Sequence, residues 1–87
     1  MILEAEYDYT ADKRRVLKAT VIDSHGTPTL FSAVLSEDEA NHFRSFRVHI
    51  IQKPTGSCTS PWALAGVSFV LNFTDRESRT VEVTDAV

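Results

Sequence analysis

The sequence predicts a single α+β domain over residues 1–87: one five-stranded sheet, antiparallel or mixed, in the order β-β-β-α-β-β, with one helix packed on one face. Three observations lead there. Ser36–Gln52 (SEDEANHFRSFRVHIIQ) is the one long stretch whose apolar residues recur at helical spacing. The segments before and after it alternate apolar and polar residues with a period of two. The lengths also agree, since seven or eight strand residues span roughly 25 Å and a helix of about 16 residues roughly 24 Å. One helix therefore covers one face of one sheet.

Taken in order, Ile2–Tyr9 alternates, with Leu3, Ala5, Tyr7 and Tyr9 on one side and Ile2, Glu4, Glu6 and Asp8 on the other. It reads as a half-buried strand with an acidic outer row. Thr10–Arg14 is a polar loop. Arg15–Asp23 is the second strand, with Leu17, Ala19 and Val21 on one face. Asp23-Ser24-His25-Gly26-Thr27-Pro28 is a turn, because Asp and Ser bond to nearby backbone and glycine accepts positive φ. Thr29–Leu35 follows as the third strand, in a hairpin with the second.

Ser36 and Glu39 form a capping box, and Glu37, Asp38 and Glu39 place negative charge where the helix dipole favours it. Phe43, Phe46 and Ile50 make a narrow stripe, expected to be buried against Leu17, Val21, Phe69 and Leu71. Lys53-Pro54 ends the helix, since a residue before proline is pushed out of the α region. A rival reading breaks the segment earlier, because Val48-His49-Ile50-Ile51 is rich in β-branched residues and suits a strand. The continuous helix is preferred because no Gly, Pro or Asn-Gly turn interrupts Phe43–Gln52. Pro54–Ala65 (PTGSCTSPWALA) is a long loop. Gly66–Thr74 is a strand with Val67, Phe69, Leu71 and Phe73 on one face. Asp75–Ser78 is a charged turn, and Arg79–Thr84 is the last strand, with Val81 and Val83 inward.

Composition narrows the function. A formal charge of −3 argues against a general binder of nucleic acid or anionic membranes. One cysteine, Cys58, excludes an internal disulfide framework. No apolar run approaches the ~20 residues of a membrane span. The first residues carry acids where an export signal carries Lys or Arg, so a cytoplasmic protein is expected.

Several clusters resemble chemistry and are better explained otherwise. Asp23, Ser24 and His25 supply the letters of a hydrolase triad, but neighbours in one tight turn cannot serve one another as nucleophile, base and orienter. His42 and His49 lie seven apart, too far for one metal ion. Gly56–Ser60 lacks the ending of a phosphate loop and opens no helix. No enzyme activity, cofactor or metal is expected.

Two surfaces remain. Glu4, Glu6 and Asp8 stand on alternate strand positions, about 6.8 Å apart, with no ordered basic row in the nearby chain opposite them. They suit a basic partner, or else protect an edge strand from aggregation. Trp62 either anchors an interface or folds back to plug the core. The expected function is that of a small non-catalytic protein-binding chain of accessory, inhibitor or immunity type, acting through Glu4, Glu6, Asp8 and Trp62 on a partner with a basic surface. A homodimer is expected as well, through an apolar face bearing Ile2, Val16, Ile22 and Val70. The alternative is a nucleic-acid-binding module using Lys13, Arg14, Arg15 and Lys18.

Overall fold

A computed structural model describes residues 1–8 and 15–87. Among these described residues it holds six strands in two separate three-stranded antiparallel sheets, plus one short helix. The elements are β1 (Ile2–Asp8), β2 (Arg15–Ile22), β3 (Pro28–Leu35), α1 (Glu37–Asn41), β4 (Phe43–Pro54), β5 (Trp62–Phe73) and β6 (Arg79–Val83). One sheet has the order β1-β2-β3 and the other β4-β5-β6. This overturns the expected five-stranded sheet with a helix on one face. The protein is mostly β, and its second layer is a sheet. Tyr9 and the loop expected at Thr10–Arg14 lie outside the described residues.

The helical reading of Ser36–Gln52 holds only for its first turn. Ser36 caps α1 as expected: its Oγ accepts from Glu39 N–H at 3.1 Å, and Glu39 Oε1 accepts from Ser36 N–H at 3.2 Å. The chain then leaves the helix at His42 and becomes a twelve-residue strand. The physical cause lies in β4 and its partner. Its register against β5 breaks between Phe43 and Ser45, so Arg44 is an extra residue in a β-bulge. A bulge puts residues three apart on one face, which is how Phe43 and Phe46 come to share a side. Beyond it, Phe46, Val48 and Ile50 alternate and pair with Leu71, Phe69 and Val67. Phe43 and Phe46 are half-buried, not buried as the helical stripe required.

The expected Pro54–Ala65 loop is also shorter. Trp62, Ala63 and Leu64 pair with Pro54, Lys53 and Gln52, which extends the β4–β5 hairpin to a loop of residues 55–61. That loop ties itself together: Thr55 N–H donates to the Pro61 carbonyl at 3.0 Å, and Ser57 Oγ accepts from Thr59 and Ser60 N–H, each at 3.3 Å.

Both sheets turn apolar faces to one core. Leu17, Ala19, Val21, Phe31 and Leu35 come from the first sheet, and Val67, Phe69, Leu71 and Phe73 from the second. The molecule measures 46 × 26 × 17 Å, the thin dimension of a two-layer stack. β3 lies beside β6 on one long side. There the chain past β6 crosses to the first sheet, where Val87 N–H donates to the Leu30 carbonyl at 2.8 Å. Thr84 passes so close over Gly66 that a β-carbon at this position would overlap the Val83 carbonyl oxygen. The other long side is formed by β1 and β4, which pair with each other nowhere.

Candidate functional site

The two sheet orders leave β1 and β4 as edge strands, and the candidate site residues lie along and around them. By register, Leu3, Ala5 and Tyr7 stand opposite Val21, Ala19 and Leu17, so they face the core; Ile2, Glu4, Glu6 and Asp8 face out. The alternation read from the sequence is therefore the one observed. Glu4 and Glu6 are exposed and Asp8 is half-buried. The acidic row is not unopposed, however. Lys18 pairs across from Glu6 and reaches along the row, placing its Nζ 3.3 Å from Asp8 Oδ2. A half-exposed pair of this kind contributes at most about 1 kcal/mol, but it removes Asp8 from the set of free acids. Among the described residues, Glu4 and Glu6 make no ion pair within 4.0 Å.

Trp62 does not plug the core. It begins β5 at 55 % exposure, and it lines a cleft of about 450 Å³ with Met1, Leu64 and the Asp23–His25 turn. Met1 is itself exposed and heads the acidic strand. The fold thus brings two candidates more than 50 residues apart in sequence to one corner: the acids run along β1, and the tryptophan stands at its start.

The remaining candidates are not gathered. Lys13 and Arg14 lie outside the described residues. Arg15 and Lys18 fall on opposite faces of β2 by register, since Arg15 is in phase with Leu17 and Lys18 is not. The apolar face expected for self-association is split as well. Ile2, Val16 and Ile22 lie on the outer face of the first sheet, while Val70 pairs with Arg47 on the outer face of the second. Asp23, Ser24 and His25 form the expected turn. Asp23 Oδ1 accepts from His25 N–H at 2.9 Å and Thr27 N–H at 2.8 Å, and Gly26 adopts φ 83°. The bond from Thr27, with that from His25, holds the Asp23 carboxyl below its ordinary range despite partial desolvation.

One cluster escaped the sequence reading. Around α1, Arg76 bridges Asp75 and Asp38, with 2.8 Å contacts to each, and its guanidinium lies 5.5 Å over the Phe73 ring. His42 Nδ1 stands 3.6 Å from Asp75 and 3.8 Å from Asp38. Arg79 meets Glu39 at 2.5 Å. Burial pushes the Glu39 carboxyl up, but the bonds from Arg79 and Ser36 outweigh it and leave it below its usual range. The Arg76 bond likewise lowers Asp75. These pairs tie the 37–42 segment to residues 75–79, and no spacing in the sequence marks them because 30 to 40 residues separate the partners.

Among the described residues, no group of three or more His, Cys, Asp or Glu side chains is placed to hold a metal ion, and no helix is long and apolar enough to cross a membrane. Comparison of the chain with models of protein families, with curated proteins and with solved structures finds no match to any of them.

Proposed function

We propose that this is a non-catalytic protein-binding domain whose contact surface is the acidic edge strand β1 and the adjoining Trp62 cleft. The observation that carries the reading is the corner itself. An exposed tryptophan, an exposed Met1 and the unpaired edge of a strand bearing Glu4 and Glu6 meet at one end of the molecule. Each part suits protein recognition. Large amphipathic side chains in clefts dominate interface energetics. An edge strand offers unsatisfied backbone groups that a partner strand can pair with. The two acids select a partner with a basic surface and steer its approach.

The test is comparative capture. Immobilised wild-type chain is exposed to an extract of its native cells, alongside Trp62→Ala and Glu4→Gln/Glu6→Gln. The expected result is a protein, counting a second copy of this chain as one, retained by the wild type and lost from both variants. Because Trp62 is the only tryptophan, its fluorescence should also shift to shorter wavelength as the captured protein is added back. Equal retention by all three chains, with no change in emission, would contradict the reading.

A further inference from the structure

Resting on the reading of β1 as a protein-contact strand, we infer that its partner is β4 of a second copy of this chain. The two unpaired edges of the open side carry opposite charge. β1 holds Glu4, Glu6 and Asp8 and no cation, whereas β4 holds Arg44, Arg47 and Lys53 and no acid. Asp8 is engaged by Lys18. Among the described residues, Glu4, Glu6, Arg44 and Arg47 are exposed and make no ion pair within 4.0 Å.

The strand directions suit mutual pairing. β1 starts at the Trp62 cleft, which Met1 lines, and ends where the Tyr7 ring lies 4.6 Å from Phe43. β4 starts at Phe43 and ends at Pro54, paired with Trp62. The two edges therefore run antiparallel within one molecule. A two-fold axis parallel to the strands sets β1 of each copy beside β4 of the other. Both seams form together, both are antiparallel, and the outer face of each sheet continues into the outer face of its neighbour. Two three-stranded sheets become two six-stranded sheets, in which β1 and β4 are no longer edges.

Side-chain phase agrees. On β4 the outward residues are Ser45, Arg47 and His49, in register with Asn72, Val70 and Ser68. When the outer rows are aligned, Arg47 falls opposite Glu4 or Glu6, where opposite charges favour a cross-strand pair. The inward rows are apolar and incompletely covered. Leu3, Tyr7, Phe43, Phe46, Val48 and Ile50 are only half-buried, and Ala5 is exposed although its partner Ala19 is fully buried. A cleft of about 440 Å³ lined by Tyr7, Phe43 and Phe46 opens on this side. The second copy covers these rows. The competing two-fold, with its axis perpendicular to the sheets, pairs β1 with β1 and β4 with β4. It sets acid against acid and cation against cation, which opposes association.

The test is a charge swap followed by sedimentation at low salt. Glu4→Lys/Glu6→Lys makes β1 basic, and Arg44→Glu/Arg47→Glu makes β4 acidic. Wild type should sediment at twice the chain mass, with association weakening as salt is raised. Each variant alone should associate at least about tenfold more weakly. An equimolar mixture should recover the dimer, because both of its seams then join unlike charges. Thermal melts check that each variant folds. If one does not, the salt dependence of the wild type and the neutral variant Glu4→Gln/Glu6→Gln decide instead. A wild type at monomer mass throughout, a dimer indifferent to salt and to either reversal, or two weakened variants whose mixture stays monomeric would each overturn the proposal. If the chain is monomeric yet captures another basic protein through Glu4 and Glu6, the second copy is excluded and β1 remains a protein-contact strand. If capture fails too, both readings fall.

Discussion

On the β3–β6 side of the sandwich the chain seals its own core: β6 lies against β3, Val87 N–H donates to the Leu30 carbonyl, and Thr84 presses onto a glycine that leaves it room. On the β1–β4 side no described residue makes a comparable closure. The aromatic residues there are half-buried, the strands stop at unpaired edges, and the two edges bear opposite charge. A small sandwich has little apolar surface to spare. A side closed by backbone contact is accounted for by the fold itself, and the side left open with ordered charge is the one that the proposed contact would cover.

Several changes would sharpen or break that contrast, and the largest effect is expected in the shared core. Phe69 is fully buried on the central strand β5, so Phe69→Ala should cost about 3–5 kcal/mol of stability by cavity formation. The same truncation of Phe46 on the open side, measured in dilute solution, should cost only about 1–2 kcal/mol, since part of its surface already meets water. Paired denaturant titrations check this, and equal losses would mean that the two sides are packed alike.

On the closed side, Gly66→Ala introduces one methyl group where the Val83 carbonyl and Thr84 leave none. Overpacking against backbone should cost about 1–3 kcal/mol. It should also loosen the Val87–Leu30 bond, visible as faster exchange of the Val87 amide. A variant as stable as wild type would show that the closing segment sits further from β5.

The smallest effect concerns pH and the ties around α1. Glu39 and Asp75 have lower pKa values folded than unfolded, for which the ordinary values are 4.5 and 3.8. Their contribution to stability is therefore present above about pH 4.5 and is lost as pH falls below it toward the folded values. Arg79→Gln should lower the melting temperature at ~pH 6 and have less effect at ~pH 3, which lies below the ordinary Glu39 value, so that the unfolded chain has taken up the proton and part of the pair's contribution is lost. An identical shift at both would mean that the Arg79–Glu39 pair carries no stability.

Much of this fold is written in local pattern. The alternation of β1, β2 and β5 placed their faces correctly, the Asp23–Thr27 turn announced itself through its Asp and Gly, and Ser36 with Glu39 marked the start of α1. The failure lies in Phe43–Pro54. A three-residue spacing between two phenylalanines means one face of a helix, but it means one face of a strand as well when a bulge intervenes. Only the partner strand decides between them, and that partner lies beyond the loop at residues 55–61. Val48, Ile50 and Ile51, residues that favour strands, were the local signal in its favour. Of the candidate site, Glu4, Glu6 and Asp8 were singled out by their spacing, and Trp62 by its isolation. Their meeting at one corner, the Lys18 contact to Asp8 and the charge match between β1 and β4 depend on pairing across the fold, which no local window contains.

The open edge of β4 can be examined directly by residue-resolved amide exchange in dilute solution. In an antiparallel edge strand, alternate amides point to the neighbouring strand and to solvent. Residues 45–51 should therefore exchange in a slow–fast alternation, with the slow set bonded to β5, and the fast set should slow when the protein is concentrated. A uniformly slow run through these residues at every concentration would contradict the account, because it would mean that residues 43–54 are helical or that both edges of β4 are already paired.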